Sequence, residues 1–389
     1  MVSTFANVEH LRQEARKRLP RMFFDYLDGG AFSETTLRRN RGDFDELVLE
    51  QRVLADVASR DLSHTILGRP AKMPMLLAPV GFCGMMAPRG ELQAARAAAA
   101  AGVPFCLSTF SIMGLEELAA ALPAPPLFQL YVFRDRALAE TMLERAVRLG
   151  VDTIVLTVDT NVPGIRERDT RNGFRTASRL GLRSMLDIAR RPAWALGMAR
   201  LGRPTLGNVA GDPRFGSTLM AQASRLSAEI DPSLDWSALR WLRDAWRGRL
   251  VVKGVLSVHD AQKAADGGAD AIVVSNHGGR QLDGAPSTIS ALPAISAAVG
   301  SRVEVLLDGG VRRGTDIVKA IALGADGILL GRAYVYGLAA AGERGVRAAL
   351  DLLAAEMSVT MALMGLHSIA ELREVGPDRV RPAPFGSRS

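Results

Sequence analysis

Five polar residues lie at the ends of short apolar runs and together make a chemical set: Asp159 after Thr157-Val158, Lys253 in Val251-Val252-Lys253-Gly254, His277 in Ser275-Asn276-His277-Gly278-Gly279-Arg280, Asp308 before Gly309-Gly310, and Arg332 after Gly331. A histidine beside a carboxylate is the arrangement of a general base, because the carboxylate orients the imidazole and stabilises the imidazolium formed when it takes a proton. His277 is the candidate base and Asp159 its candidate partner. Arg166 and Arg280, each just after one of these runs, have the planar fork that grips a carboxylate in two places. Arg168, Arg171, Arg312 and Arg313 compete with them for that role. Lys253 interrupts an apolar run and needs a counter-charge, either a neighbouring carboxylate or a bound group that becomes anionic on reduction.

Glycines and arginines gather at the last two runs, in Asp308-Gly309-Gly310-Val311-Arg312, Gly314 and Gly331-Arg332. Backbone amides beside a helix start, with guanidinium groups close by, are the makings of a phosphate site.

The runs themselves recur with a rhythm. Eight strand candidates, Pro74–Val80, Pro104–Thr109, Leu127–Val132, Thr153–Asp159, Leu250–Val255, Ala271–Asn276, Glu304–Gly310 and Gly327–Arg332, alternate with amphipathic, alanine-rich stretches such as Gly90–Ala101, Arg136–Leu149 and Thr315–Leu323. This is the pattern of parallel strands joined by crossover helices, and eight such units predict a (β/α)8 TIM barrel over residues 74–365 with its chemistry at the strand C-terminal ends. A doubly wound sheet is disfavoured because no G-x-G-x-x-G follows the first strand. Residues 1–50 predict an N-terminal helical cap, so residues 1–389 read as one domain.

The long piece after the fourth strand, 160–232, exceeds an ordinary βα loop. It carries Arg175, Arg179, Arg183, Arg190, Arg191, Arg200 and Arg203 interleaved with Leu180, Leu182, Met185, Leu186, Trp194, Leu196 and Met198 against one acid, Asp187, the composition of an interfacial amphipathic element.

Composition narrows the class further. The net charge is +7, but aromatic residues are only 5% and no nucleic-acid-binding signature is present, so nucleic acid is not an expected partner. Cys83 and Cys106 are too few for a disulfide framework or a cysteine-based zinc site, and no metal is expected. Charged residues fill the first twenty positions where a secretion signal needs an apolar stretch, and a cytoplasmic chain is the simplest expectation.

With these residues in order, the sequence resembles the FMN-dependent α-hydroxy-acid dehydrogenase/oxidase family from about Val8 to Glu371. Ser275–Asp283 (SNHGGRQLD) is the most specific stretch; Asp308–Thr315, Val252–Val255 and Leu156–Thr160 add to it. The segment Tyr26–Ala31, the arginine-rich insertion and Leu239–Trp246 are more similar to the bacterial membrane-associated lactate and mandelate dehydrogenases than to soluble glycolate oxidase. Gly81 replaces an alanine of many oxidases, and Phe110 a tryptophan of glycolate oxidase.

The resemblance implies oxidation of an L-2-hydroxy acid to the 2-oxo acid with FMN as cofactor. His277 would be the base with Asp159 behind it; Arg166 and Arg280 would bind the substrate carboxylate, and Tyr26 and Tyr131 would hydrogen-bond the substrate. Pro79, Val80, Gly81, Ser108, Gln129, Thr157, Lys253 and Ser275 would meet the flavin, and Asp308, Gly309, Gly310, Val311, Arg312, Gly331 and Arg332 its ribityl chain and phosphate. It further implies a homotetramer, a quinone acceptor and peripheral contact with the inner face of the cell membrane; the alternative is a soluble oxidase producing hydrogen peroxide.

Overall fold

The computed structural model describes residues 5–173 and 181–383. Arg175, Arg179 and Leu180 therefore lie outside the described residues.

Eight parallel strands form the centre: β1 (Met75–Leu77), β2 (Cys106–Leu107), β3 (Leu127–Leu130), β4 (Thr153–Thr157), β5 (Arg249–Val255), β6 (Ala271–Val274), β7 (Glu304–Leu307) and β8 (Gly327–Leu330). From β2 to β8 each strand pairs in parallel with the next, and β8 pairs with β1. The remaining seam closes through one bridge, Leu77 to Phe105, with the Leu77 amide donating to the Pro104 carbonyl at 2.9 Å. The sheet is a barrel, as the strand rhythm predicts.

The strands are shorter than the apolar runs in the sequence: Met75–Leu77 within Pro74–Val80, Ala271–Val274 within Ala271–Asn276. The surplus residues leave the ladder at the C-terminal end and bend over the mouth. That is how the same run supplies both core and site.

Side-chain alternation divides the core in two. Leu76, Cys106, Leu127, Val155, Val251, Val273, Leu306 and Leu329 make one buried cluster inside the barrel, joined from below by Ile66 and Leu67 of a short hairpin. The alternate residues, such as Leu77, Phe128, Ile154, Leu156, Val252, Ile272, Leu307 and Leu330, pack outward in the larger cluster under the helices.

The inward series continues two residues further along each strand. Leu127 leads to Gln129 and Tyr131, Val155 to Thr157 and Asp159, Val251 to Lys253, Val273 to Ser275 and His277, Leu306 to Asp308. A strand advances about 3.3 Å per residue, so polar groups form the layer just above the apolar plug. Period-two geometry thus converts five separate stretches into one ring.

The N-terminal segment covers that ring from one side. Helix α1 (Val8–Arg18) buries Val8, Leu11 and Ala15; α2 (Arg21–Asp28) buries Phe23, Phe24 and Leu27; α3 (Thr35–Asp45) buries Phe44 and Asn40. Asp28 ties this cap down. It accepts from Arg12 (2.6 and 2.9 Å), from Arg168 (3.1 Å) and from the buried hydroxyl of Tyr336 (2.8 Å). Burial alone would raise the Asp28 carboxyl, but these donors hold it well below the usual range.

The insertion contains α4 (Leu182–Ala189) and α5 (Pro192–Leu201), neither with a buried residue, and then the helix Leu219–Glu229, which is anchored by buried Gln222 and Leu226. Among the described residues no helix is long and apolar enough to cross a membrane.

Candidate active site

Two contiguous cavities open at the C-terminal mouth of the barrel, of about 130 Å³ and 690 Å³. They share Tyr26, Pro79, Gly81, Lys253, His277 and Arg280 as a common wall. The smaller continues past Val80 to Asp308, Gly309, Gly310, Val311, Arg312, Gly331 and Arg332; the larger runs past Ser108, Gln129, Tyr131, Thr157 and Arg166. Two residues that the sequence places in the set do not reach either surface: Asp159 stands behind His277, and Ser275 is fully buried beneath it.

His277 sits in a strained bend. Its φ is +56°, and Gly278 and Gly279 follow at +64° and +75°, three successive left-handed residues of which only the glycines adopt the region without steric cost. Ser275 Oγ accepts from the His277 amide at 3.1 Å and holds the bend. The ring Nδ1 lies 2.9 Å from Asp159 Oδ1. This contact assigns the proton to Nδ1 and leaves the Nε2 lone pair as the basic site. Burial pushes the Asp159 carboxyl up, yet His277 and Lys253 outweigh it and keep the group below its ordinary value. Its other oxygen, Oδ2, is buried without a partner among the described residues.

Both arginines lie over the ring of Tyr26. Arg280 is centred 4.8 Å and Arg166 5.8 Å from that ring. Arg280 Nη1 donates to the carbonyls of Tyr26 (2.6 Å) and Gly29 (3.0 Å), which fixes the guanidinium without neutralising it. Burial first, and then Arg166, push its pKa down to about 9. Among the described residues the one carboxylate that Arg166 meets is Asp169, at 3.7 Å, and its buried Nε has no partner there. Two under-compensated cations side by side make a seat for an anion. The competitors are otherwise engaged: Arg168 with Asp28 and Glu34, Arg171 with Glu167, Arg313 with Glu356.

Lys253 finds its counter-charge within the protein. Its Nζ lies 2.9 Å from Asp308 Oδ2 and donates to Ser275 Oγ at 2.9 Å. Desolvation alone would lower the ammonium, but Asp308 and Asp159 raise it, so it stays charged at the cavity wall. Of the two counter-charges open to it, the carboxylate is in place in the protein itself.

The glycine-rich end also differs in detail from expectation. The amides of Arg312 and Arg313 donate to Asp316, and that of Gly314 to Glu356, so this helix start is already satisfied. Gly314 serves packing, since a Cβ there would strike the neighbouring helix at Met357. The groups left to receive an anion are Gly309 and Gly310, at φ +92° and +84°, and two arginines lining the same cavity. A Cβ on Gly310 would collide with the Asn40 carbonyl. Arg312 stacks on Tyr336 at 5.4 Å. Arg332 donates to the carbonyls of Leu27, Gly278 and Gly29 (2.8 to 2.9 Å), and burial lowers its pKa, which favours an added anion.

This chain of groups fits a flat, polar-edged ring with a phosphorylated tail. Gln129 Oε1 is held by Ser108 and Thr109, both at 3.2 Å, while its buried Nε2 is left without a partner among the described residues. Asp308 Oδ1 is likewise unpartnered there. Such orphaned groups are uncommon in a finished interior, and Gln129 and Asp308 both line the cavities, where these atoms are open to a bound molecule.

Three contributors escaped the sequence reading. Gln281 bridges the mouth, donating to the carbonyls of Asp159 (2.7 Å) and Val162 (3.0 Å). Asn40 and Asn276 exchange reciprocal 2.8 Å bonds that lock α3 onto the His277 segment. The helix Leu219–Glu229 lines the larger cavity. Gln281 and Asn276 carried a signal, their place inside the SNHGGRQLD stretch; Asn40 and the helix carried none.

Known proteins agree with this picture. A family model described as FMN-dependent dehydrogenase matches residues 15–378. A protein named L-lactate dehydrogenase from Caulobacter vibrioides is 53% identical over 364 residues, 93% of this chain and 95% of its own. The crystal structure of the monotopic membrane protein (S)-mandelate dehydrogenase superposes with a TM-score of 0.93 at 44% identity, covering 98% of this chain and all of that one (100%). A soluble mutant of the membrane-associated (S)-mandelate dehydrogenase from Pseudomonas putida gives 0.82 at 42% identity over 97% and 99%.

Proposed function

The chain belongs to the FMN-dependent dehydrogenase family, and from that premise we propose that it oxidises an L-2-hydroxy acid of the lactate or mandelate kind and passes the electrons to a quinone-type acceptor. The carrying observation is the His277–Asp159 pair, 2.9 Å apart, facing a cavity that also holds two under-compensated arginines.

In this reading Arg166 and Arg280 take the substrate carboxylate, and Tyr26 and Tyr131 bond its oxygens. His277 Nε2 then accepts a proton, from C2 or from the hydroxyl, and Asp159 stabilises the resulting imidazolium. FMN, when bound, supplies the acceptor for the two electrons leaving C2. Lys253 presents a positive charge where the reduced ring gains a negative one. Pro79, Val80, Gly81, Ser108, Gln129 and Thr157, which line the cavities, would surround the ring; Asp308 to Arg312 and Gly331-Arg332 would hold the ribityl chain and phosphate. Ser275 acts one layer back, bonding Lys253 and the His277 amide. The names of the relatives, L-lactate dehydrogenase and (S)-mandelate dehydrogenase, support the substrate class.

The acceptor reading rests on the insertion. Leu182, Met185, Leu186 and Leu196 are 53–74% exposed beside Arg183, Arg190, Arg191 and Arg200, a surface suited to lie peripherally on an anionic membrane. A monotopic membrane protein among the structural neighbours supports it. The test is anaerobic reduction of the holoenzyme by L-lactate or L-mandelate, followed by a short-chain quinone in one arm and oxygen in the other. Bleaching followed by fast reoxidation with quinone is expected. Peroxide formed stoichiometrically with 2-oxo acid, at an equal rate, would refute the acceptor; no bleaching would refute the substrate class.

A further inference from the structure

The larger cavity has an unequal pair of walls. One is aromatic: Tyr26 and Phe82 pack edge to face with centroids 5.6 Å apart, and Phe110 meets Tyr131 the same way at 5.6 Å. Facing them is the helix Leu219–Glu229, which presents Met220, Ala223, Ser224 and Ser227, positions i, i+3, i+4 and i+7 on a single stripe. Apart from Met220 at its end, that stripe carries no side chain beyond one heavy atom past Cβ.

This wall is fixed. Gln222, on the opposite face, accepts from the Leu206 amide at 2.7 Å and donates to the Gly216 carbonyl at 3.2 Å, and Leu226 is fully buried. At the helix end Ile230 bridges Phe133, and the Asp231 amide donates to the Val132 carbonyl at 3.1 Å. Small residues on an anchored helix leave room that no local rearrangement closes.

We infer that Ala223, Ser224 and Ser227 determine substrate size, and that their smallness adapts the site to 2-hydroxy acids whose C2 substituent is aryl or branched alkyl rather than methyl. The inference rests on the substrate class proposed above. With the carboxylate at Arg166 and Arg280 and C2 at His277, the substituent lies between the aromatic wall and the helix. A methyl group leaves that space to water. A phenyl or isobutyl group removes apolar surface from water on both sides, and each methylene buried is worth about a fourfold gain.

The experiment measures anaerobic flavin reduction of the holoenzyme with L-lactate, L-2-hydroxyisocaproate and L-mandelate, in the wild type, Ala223→Phe and Ser227→Leu. The wild type is expected to favour the two larger acids over lactate by about tenfold or more in kcat/KM. Each filled variant should shrink that ratio about tenfold. Ser227→Leu, the milder change, and the wild-type ranking keep the test decisive if Ala223→Phe does not hold flavin. Lactate equal or superior in the wild type, or an unchanged ratio in variants that bind flavin, would overturn the inference while leaving the 2-hydroxy-acid reading intact. Failure of all three acids to bleach the flavin would overturn both.

Discussion

The barrel mouth and the helical pair α4–α5 are both rich in arginine, yet they use it in opposite ways. At the mouth, Arg280 and Arg332 are half-buried, and each guanidinium is fixed by two or three backbone carbonyls. Their charge is left over for a ligand. On α4 and α5 no residue is buried, and Leu182 is 74% exposed. The contrast separates groups positioned for chemistry, each held by several independent contacts, from groups positioned only relative to their surroundings. Substitutions at the mouth should change rates; those on the pair should change where the protein goes.

After the base itself, the largest effect should come from the carboxylate behind it. Asp159→Asn keeps the shape but removes the charge that orients Nδ1–H and supports the imidazolium. Flavin reduction should slow by about 10²- to 10⁴-fold, with little change in KM. If KM rose and the reduction rate held, Asp159 would belong to binding instead.

Next in size is the anion seat. Arg280→Met or Arg166→Met removes charge-assisted bonds worth about 1.5–3 kcal/mol, so KM for the acid should rise about ten- to a hundredfold. Acetate or another simple carboxylate should inhibit the wild type and not the Arg280 variant. Equal inhibition of both would place the carboxylate elsewhere.

The cap predicts a stability effect with a pH signature. Asp28→Asn should cost about 1.5–3 kcal/mol at neutral pH, read as a lower urea midpoint. Because the folded Asp28 pKa lies below the unfolded value of about 3.9, its contribution is full above that pH and is lost as pH falls toward the folded value. The gap between wild type and variant should therefore narrow below pH 4. A constant gap would mean that shape, not charge, supplies the stability.

The smallest effect belongs to the exposed pair. Leu182→Ser combined with Met185→Ser and Leu186→Ser should alter folding stability by only about 0.5 kcal/mol per site or less and leave flavin reduction as it was. Binding to vesicles containing anionic lipid should drop sharply. Slower flavin reduction in this variant would join the two regions that the comparison separates.

Much of this was legible from the chain alone because a β-strand has period two. Once Leu127, Val155, Val251 and Val273 face inward, Gln129, Thr157, Lys253 and Ser275 must follow, and their polarity at those positions betrays a site. What was not legible depends on long-range pairing. Lys253 and Asp308 are 55 positions apart, and only barrel closure brings them to 2.9 Å. Ser275 faces inward as its parity requires, but its hydroxyl is spent on two internal partners. The helix Leu219–Glu229 gave no chemical signal, since alanine and serine at a cavity wall matter for the space they leave.

The central claim is that His277 Nε2 takes the proton when the acid is oxidised, and the most direct test is anaerobic stopped-flow reduction of flavin in His277→Gln beside the wild type. The variant should bind FMN and substrate and lose about 10³- to 10⁴-fold in reduction rate. Reduction at an undiminished rate would contradict the account.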